Sequence, residues 1–304
     1  QINWPKLLIS ADNHFLLKGD VSLQDLSHPQ DAYIFGNLSN LYADPDGIAF
    51  FVRNLSKDYK GVPPALQHLG TISFRGEISG YFTDLVTYGE VRTDIGTVKT
   101  DVKFSSDKEK GYFSYSGAVK TAEFELGKLL ANDKFGKVTF NMDVKGSHYA
   151  KRYPSVTMKG LVASIDYSDY TYENITLDGE YKQGGFNGNV SFDDGNGAIQ
   201  LNGSINTAGK IPTFNFRADV DHFRPNTLHL TPKYKDTEIS VKIKADFTGS
   251  SINDMNGEIN IDSLQYTAPD QSFFMDNLRI AATQNDERQK RLTINSNFLR
   301  GTIE

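Results

Sequence analysis

The residues best equipped for chemistry lie in the stretch DVDHFRPNTLHL, from Asp219 to Leu230. Asp219, Asp221, His222 and His229 are all metal-ligand types. The two histidines are seven positions apart with Arg224 and Pro225 between them, which fits no common ligand spacing, so solvated loop ends are the plainer reading. DDGNG, Asp193 to Gly197, resembles a calcium loop but lacks the alternating acids and the closing Glu, and it reads as a β-turn. Asp166 and Asp169 in IDYSDY could form an acid–base couple for glycoside chemistry, yet on a strand of alternating Tyr and Asp they read as an exposed face. No nucleophile elbow, phosphate-binding loop or dinucleotide glycine set occurs. The 304 residues include no cysteine, which excludes disulfides, thiolate metal sites and a Cys nucleophile. No nucleophile, base and orienting group assemble, so neither an enzyme nor a cofactor is expected. The net charge of −6, with basic and acidic residues interspersed, argues against nucleic acid as a partner.

The elements that would position any site are strands. Val98, Thr100, Val102 and Phe104 alternate with Lys99, Asp101 and Lys103. The same period of two recurs at Val138-Phe140-Met142-Val144, at Phe214-Phe216-Ala218-Val220, at Ile239 to Phe247 and at Leu292-Ile294. A strand with one buried and one wet face needs that period. Turn pairs such as Gly184-Gly185, Asn202-Gly203 and Ala208-Gly209 separate the runs, which makes an antiparallel meander, since parallel pairs need long crossovers. Hydrophobic residues make up only 38%, enough for a core if they share one face. Short helices are expected at 63–70, with Pro at the start and Gly at the end, and at 124–130. Asp46 to Lys57 reads equally as a strand or a short helix. No apolar run reaches the roughly 18 residues needed to span a bilayer. The chain opens on Gln1 without a leader pattern and stops on Glu304 just after a strand-like run, as an internal segment of a longer polypeptide would.

A weak repeat runs through the meander. ISGYFTDLVTYGEV, Ile78 to Val91, is echoed by FTGSSINDMNGEI, Phe247 to Ile259, and VKG at Val144 to Gly146 closes a similar phrase. Gly80, Gly146 and Gly249 are therefore expected to end their strands and bend the sheet, with Gly89 and Gly257 opening the next ones. Repeats that stack edge to edge bury a core that no single unit could bury. Three soft divisions follow: 1–62 as N-terminal strands with an irregular segment, 63–146 as a repeat with the short helices, and 147–304 as further repeats, possible as one continuous domain.

The succession GYFSYSGAVKTAEFELGKLLANDKFGKVTFNMDVKG, Gly111 to Gly146, resembles the TamB-like branch of the AsmA-like family. Tyr170 to Ile205 and Pro63 to Val98 do as well, and the likeness is strongest from Pro63 to Leu230. The resemblance implies an elongated antiparallel repeat sheet curled into an open hydrophobic groove, a β-taco. It also implies a periplasmic location with a tether to the inner membrane, phospholipid as cargo and a TamA-like outer-membrane barrel as partner. On this reading the protein is a segment of a bridge for lipid transport or outer-membrane assembly, and Val98, Val102, Phe140, Val144, Phe214, Phe216, Ile243 and Ile261 line the groove.

Some eighteen strands spaced about 4.8 Å apart would make a sheet on the order of 80 Å across. A flat sheet of that size exposes more apolar surface than soluble proteins tolerate, whereas curling hides the surface from water and leaves it open to acyl chains. An acyl chain of about fifteen methylenes could gain roughly 10 kcal/mol there before costs. The competing architecture is an adhesin-like β-sandwich, in which a second sheet covers the same residues and no ligand exists. Periodicity alone does not separate the two.

Overall fold

A computed structural model describes residues 1–25, 32–55, 62, 64–107, 111–149, 155–251, 253–284 and 290–303. His28, Lys57 and Pro63, which opens the helix expected at 63–70, lie outside them. The fold is all-β. Among the described residues nineteen strands form one antiparallel sheet that does not close into a barrel, with three short helices. Alternating sequence is the cause: in β6 (Gly96–Asp107) Lys99 and Asp101 are exposed while Val102 is 4% exposed.

The contacts divide the chain into two units. The first holds β1 (Ile2–Ala11), β2 (Phe15–Gln24), β3 (Tyr33–Ala43), α1 (Pro45–Leu55), α2 (Pro64–His68), β4 (Ile72–Tyr81), β5 (Asp84–Thr93), β6, β7 (Tyr112–Glu125), α3 (Leu126–Leu130) and β8 (Phe135–Tyr149). The second holds β10 (Tyr170–Lys182), β11 (Gly185–Asp193), β12 (Ala198–Asn206), β13 (Thr213–Phe223), β14 (Glu238–Thr248), β15 (Asn256–Ala268), β16 (Gln271–Met275), β17 (Leu278–Gln284), β18 (Lys290–Ser296) and β19 (Arg300–Ile303). β9 (Ser155–Tyr167) is shared between the two.

Within each unit, strands pair with their neighbours in the chain. β16 and β17 together fill the position beside β15. Several joins are two-residue turns: Ser168-Asp169 and Gln183-Gly184 hold positive φ at both positions, the left-handed geometry whose twist matches the flanking strands.

The stretch read as strand or helix is α1. Asp44 caps it by accepting the Gly47 amide at 2.8 Å, and Pro45 supplies the preset φ of a first helical turn. The helices expected at 63–70 and 124–130 are α2 and α3. Together they close a small core. Ile95, Phe124 and Val138 are buried, with Leu69, Leu126 and Leu129 packed over them, and the ring of His68 meets the Leu129 carbonyl through Nδ1 at 2.9 Å.

Candidate functional site: the apolar face

Directly paired residues of an antiparallel ladder point to the same side of the sheet, so register assigns faces. In the first unit one row reads Ile9, Leu17, Leu41, Phe74, Val91, Val98, Thr121, Phe140 from β1 to β8. The next on that face is Leu7, Gly19, Leu38, Gly76, Gly89, Thr100, Val119, Met142. The third is Trp4, Val21, Gly36, Ile78, Thr87, Val102, Gly117, Val144, and the fourth runs from Ile2 through Leu85 and Phe104 to Tyr115 and Gly146. No charged residue occurs in these four rows across eight strands.

The second unit repeats the plan. Phe214 stands in a row from Tyr181 and Phe186 to Phe247, Leu292 and Ile303. Phe216 stands in the row Gly179, Gly188, Gly203, Phe216, Ala245, Ile259, Ile280, Ile294. Ile243 and Ile261 are direct partners in a third. The rings of Phe214 and Phe247 stack at 4.6 Å.

All eight residues expected on the groove face therefore lie on the charge-free face of their unit. Their burial separates them. Val102 is 4% exposed, whereas the other seven are half-buried. Val98 and Phe140 pack against the core of Ile95, Phe124 and Val138. Beyond that core the face is left half-buried through Val21, Leu23, Ile34, Ile78, Leu85 and Phe104. Among the described residues the strands of both units belong to one hydrogen-bonded sheet.

The three expected strand-ending glycines do not behave alike. Gly80 and Gly249 stand at φ +127° and +122°, at the ends of β4 and β14. Gly146 does not end a strand: β8 continues to Tyr149, and the Tyr115 ring lies over Gly146, where a Cβ would come within 2.6 Å of its Cε1. Gly89 does not open a strand either, since it lies in the middle of β5. With Gly76 it forms a mid-strand pair in which a Cβ on Gly76 would come within 2.6 Å of the Gly89 Cα, and the Phe74 ring covers both. These mid-strand glycines bring the backbones close on the apolar face. Sequence reading missed them because cross-strand register is needed to see that they coincide.

Of the residues singled out for metal chemistry only the neighbours Asp221 and His222 meet, Oδ2 to Nδ1 at 3.5 Å. Asp221 accepts the Ser240 hydroxyl at 2.9 Å, Asp219 pairs with Lys242 at 3.4 Å, and the His229 ring meets the Ser168 carbonyl at 3.1 Å. Among the described residues no group of three or more His, Asp or Glu is placed to hold a metal. Asp166 accepts the Lys137 amide at 3.1 Å, while Asp169 is a turn residue at φ +63°. Asp194 of the expected turn accepts the Tyr170 hydroxyl at 2.6 Å; that contact, after desolvation, holds the Tyr170 hydroxyl above its ordinary pKa. No helix is long and apolar enough to cross a membrane among the described residues. No protein-family model, curated protein or solved structure matches the chain.

Proposed function

We propose that this chain is a section of a lipid-carrying groove, with phospholipid acyl chains laid on the charge-free face. The observation that carries the reading is the row structure itself. Whole rows of apolar and small residues run across each unit without a charge, and most of their side chains stay half-buried. A surface of that kind is costly in water and gains about 0.8 kcal/mol for each methylene that covers it. In the same proposal the section belongs to a TamB-like periplasmic protein tethered to the inner membrane, and a TamA-like outer-membrane barrel receives what it carries. No catalytic step is part of this function.

Two measurements test it. An organic extract of the purified chain should contain phospholipid by mass spectrometry. A benzophenone amino acid at position 78, on the apolar face, should crosslink acyl chains, while the same group at the neighbouring position 79 should not. An extract free of lipid, together with equal labelling at both positions, would rule the groove out.

A further inference from the structure

The opposite face of the first unit carries its charge in stripes that run across the strands. Register sets Arg75, Glu90, Lys99 and Lys120 side by side on β4 to β7. Two residues along the same strands, Glu77, Tyr88 and Asp101 stand side by side on β4 to β6. A concavity of about 740 Å³ opens over both stripes.

The first stripe has more cations than its own anion can satisfy. Glu90 is engaged by Arg92, Nε to Oε1 at 2.6 Å. Lys99 lies directly opposite Lys120, a like-charge pairing that disfavours the sheet. Arg75, Lys99 and Lys120 have no ion pair among the described residues, and neither do Glu77 and Asp101. The second stripe has the opposite character. Tyr88, 64% exposed, stands between two carboxylates, an arrangement that attracts a cation through charge and through the ring face. Two residues along a strand separate the stripes by about 7 Å.

We propose that this concavity binds a small zwitterion of the phosphoethanolamine type. Its phosphate sits on Arg75, Lys99 and Lys120, and its ammonium lies over Tyr88 between Glu77 and Asp101. The site is on the other face of the sheet from the apolar rows and does not depend on them. The zwitterion could be a free small molecule or a lipid headgroup, and the two are separable by experiment.

The whole chain, labelled with nitrogen-15, is titrated separately with phosphoethanolamine, inorganic phosphate, ethanolamine and lysophosphatidylethanolamine while amide shifts are followed. Phosphoethanolamine should move amides of β4 to β7 with a Kd of about 1 mM, and added salt should weaken it. Lys99→Ala with Lys120→Ala should weaken phosphoethanolamine and inorganic phosphate alike by about tenfold. Tyr88→Ala should weaken phosphoethanolamine and leave inorganic phosphate unchanged. Matching shifts from the lysolipid would point to a headgroup source, and shifts from phosphoethanolamine alone to a free molecule; either supports the site. The proposal is overturned if phosphoethanolamine moves nothing at about 10 mM, if the double variant binds as the parent does, or if phosphate and phosphoethanolamine bind equally and Tyr88→Ala changes neither. Shifts from the lysolipid alone, confined to the apolar face, would also overturn it. All the substituted side chains are exposed, and an otherwise unchanged amide spectrum verifies the fold of each variant.

Discussion

Gly249 and Gly301 bracket what a glycine can mean in this sheet. At Gly249 the backbone stands at φ +122°, and a Cβ would lie 2.7 Å from the Asp254 carbonyl oxygen. At Gly301 a Cβ would meet nothing within 4 Å. Gly249→Ala should therefore cost about 1–3 kcal/mol, while Gly301→Ala should stay within about 0.5 kcal/mol of the parent, as urea denaturation can measure. Equal midpoints would mean that the corner at Gly249 carries no constraint. A second residue, His14, couples α1 to the first hairpin. Its Nδ1 lies 2.6 Å from Asp44 Oδ2, and that hydrogen bond raises the His14 pKa above its ordinary 6.5. Asp44 is lowered from 3.8, first by the Gly47 amide and then by His14. His14 thus contributes fully below about pH 6.5 and loses its contribution as pH rises through its raised value. Asp44 contributes above 3.8 and loses its contribution as pH falls through its lowered value. The pair should help most between about pH 4 and 6.5. Proton NMR should show His14 titrating above 6.5 in the parent and closer to it in Asp44→Asn.

At one end of the first unit's apolar face, Leu69 just after α2 and Leu126 and Leu129 of α3 pack over Phe124 and Val138. Phe124 is 6% exposed and its ring lies against Gly96, so Phe124→Ala should cost about 3–5 kcal/mol. Leu130, at the end of α3 and 52% exposed, should cost less than about 0.5 kcal/mol when cut to Ala. Thermal denaturation of both variants decides whether this core is a structural unit. The strands were legible because alternation is local: Val98 to Phe104 states its own two faces. The nature of α1 was not legible from Ile48 to Val52, a β-branched and aromatic run that suits either form; the Asp44 cap and Pro45 settle it. The packing of Val98 and Phe140 against Ile95, Phe124 and Val138 was also hidden, since alternation says that a face is buried and not by what. Gly146 misled for a related reason. Its place beneath Tyr115 is a cross-strand fact, absent from the phrase it shares with Gly249.

For the molecule as a whole, a charge-free face that is only half-buried ties stability to whatever covers it. A ligand that binds only the folded form adds about 2.7 kcal/mol at a free concentration of a hundred times its Kd. If acyl chains are that cover, delipidated protein should melt several degrees below protein incubated with short-chain phospholipid, and calorimetry should show the midpoint rising with lipid concentration. A midpoint indifferent to lipid would count against the proposed groove.

The neighbour-by-neighbour ladder also bears on how the chain acquires its structure. All-β proteins usually fold slowly because segments far apart in the chain must find one another before any contact is rewarded. Here Val91 meets Val98 and Phe186 meets Ile205, so most of the loops to be closed are those of single hairpins, the span from Ala43 to Ile72 across α1 and α2 being longer. Each hairpin can be laid on the edge left by the one before it, in the order in which a ribosome or a secretion channel delivers the residues. Folding can thus advance along the chain like a growing crystal edge, without waiting for the last strand to arrive.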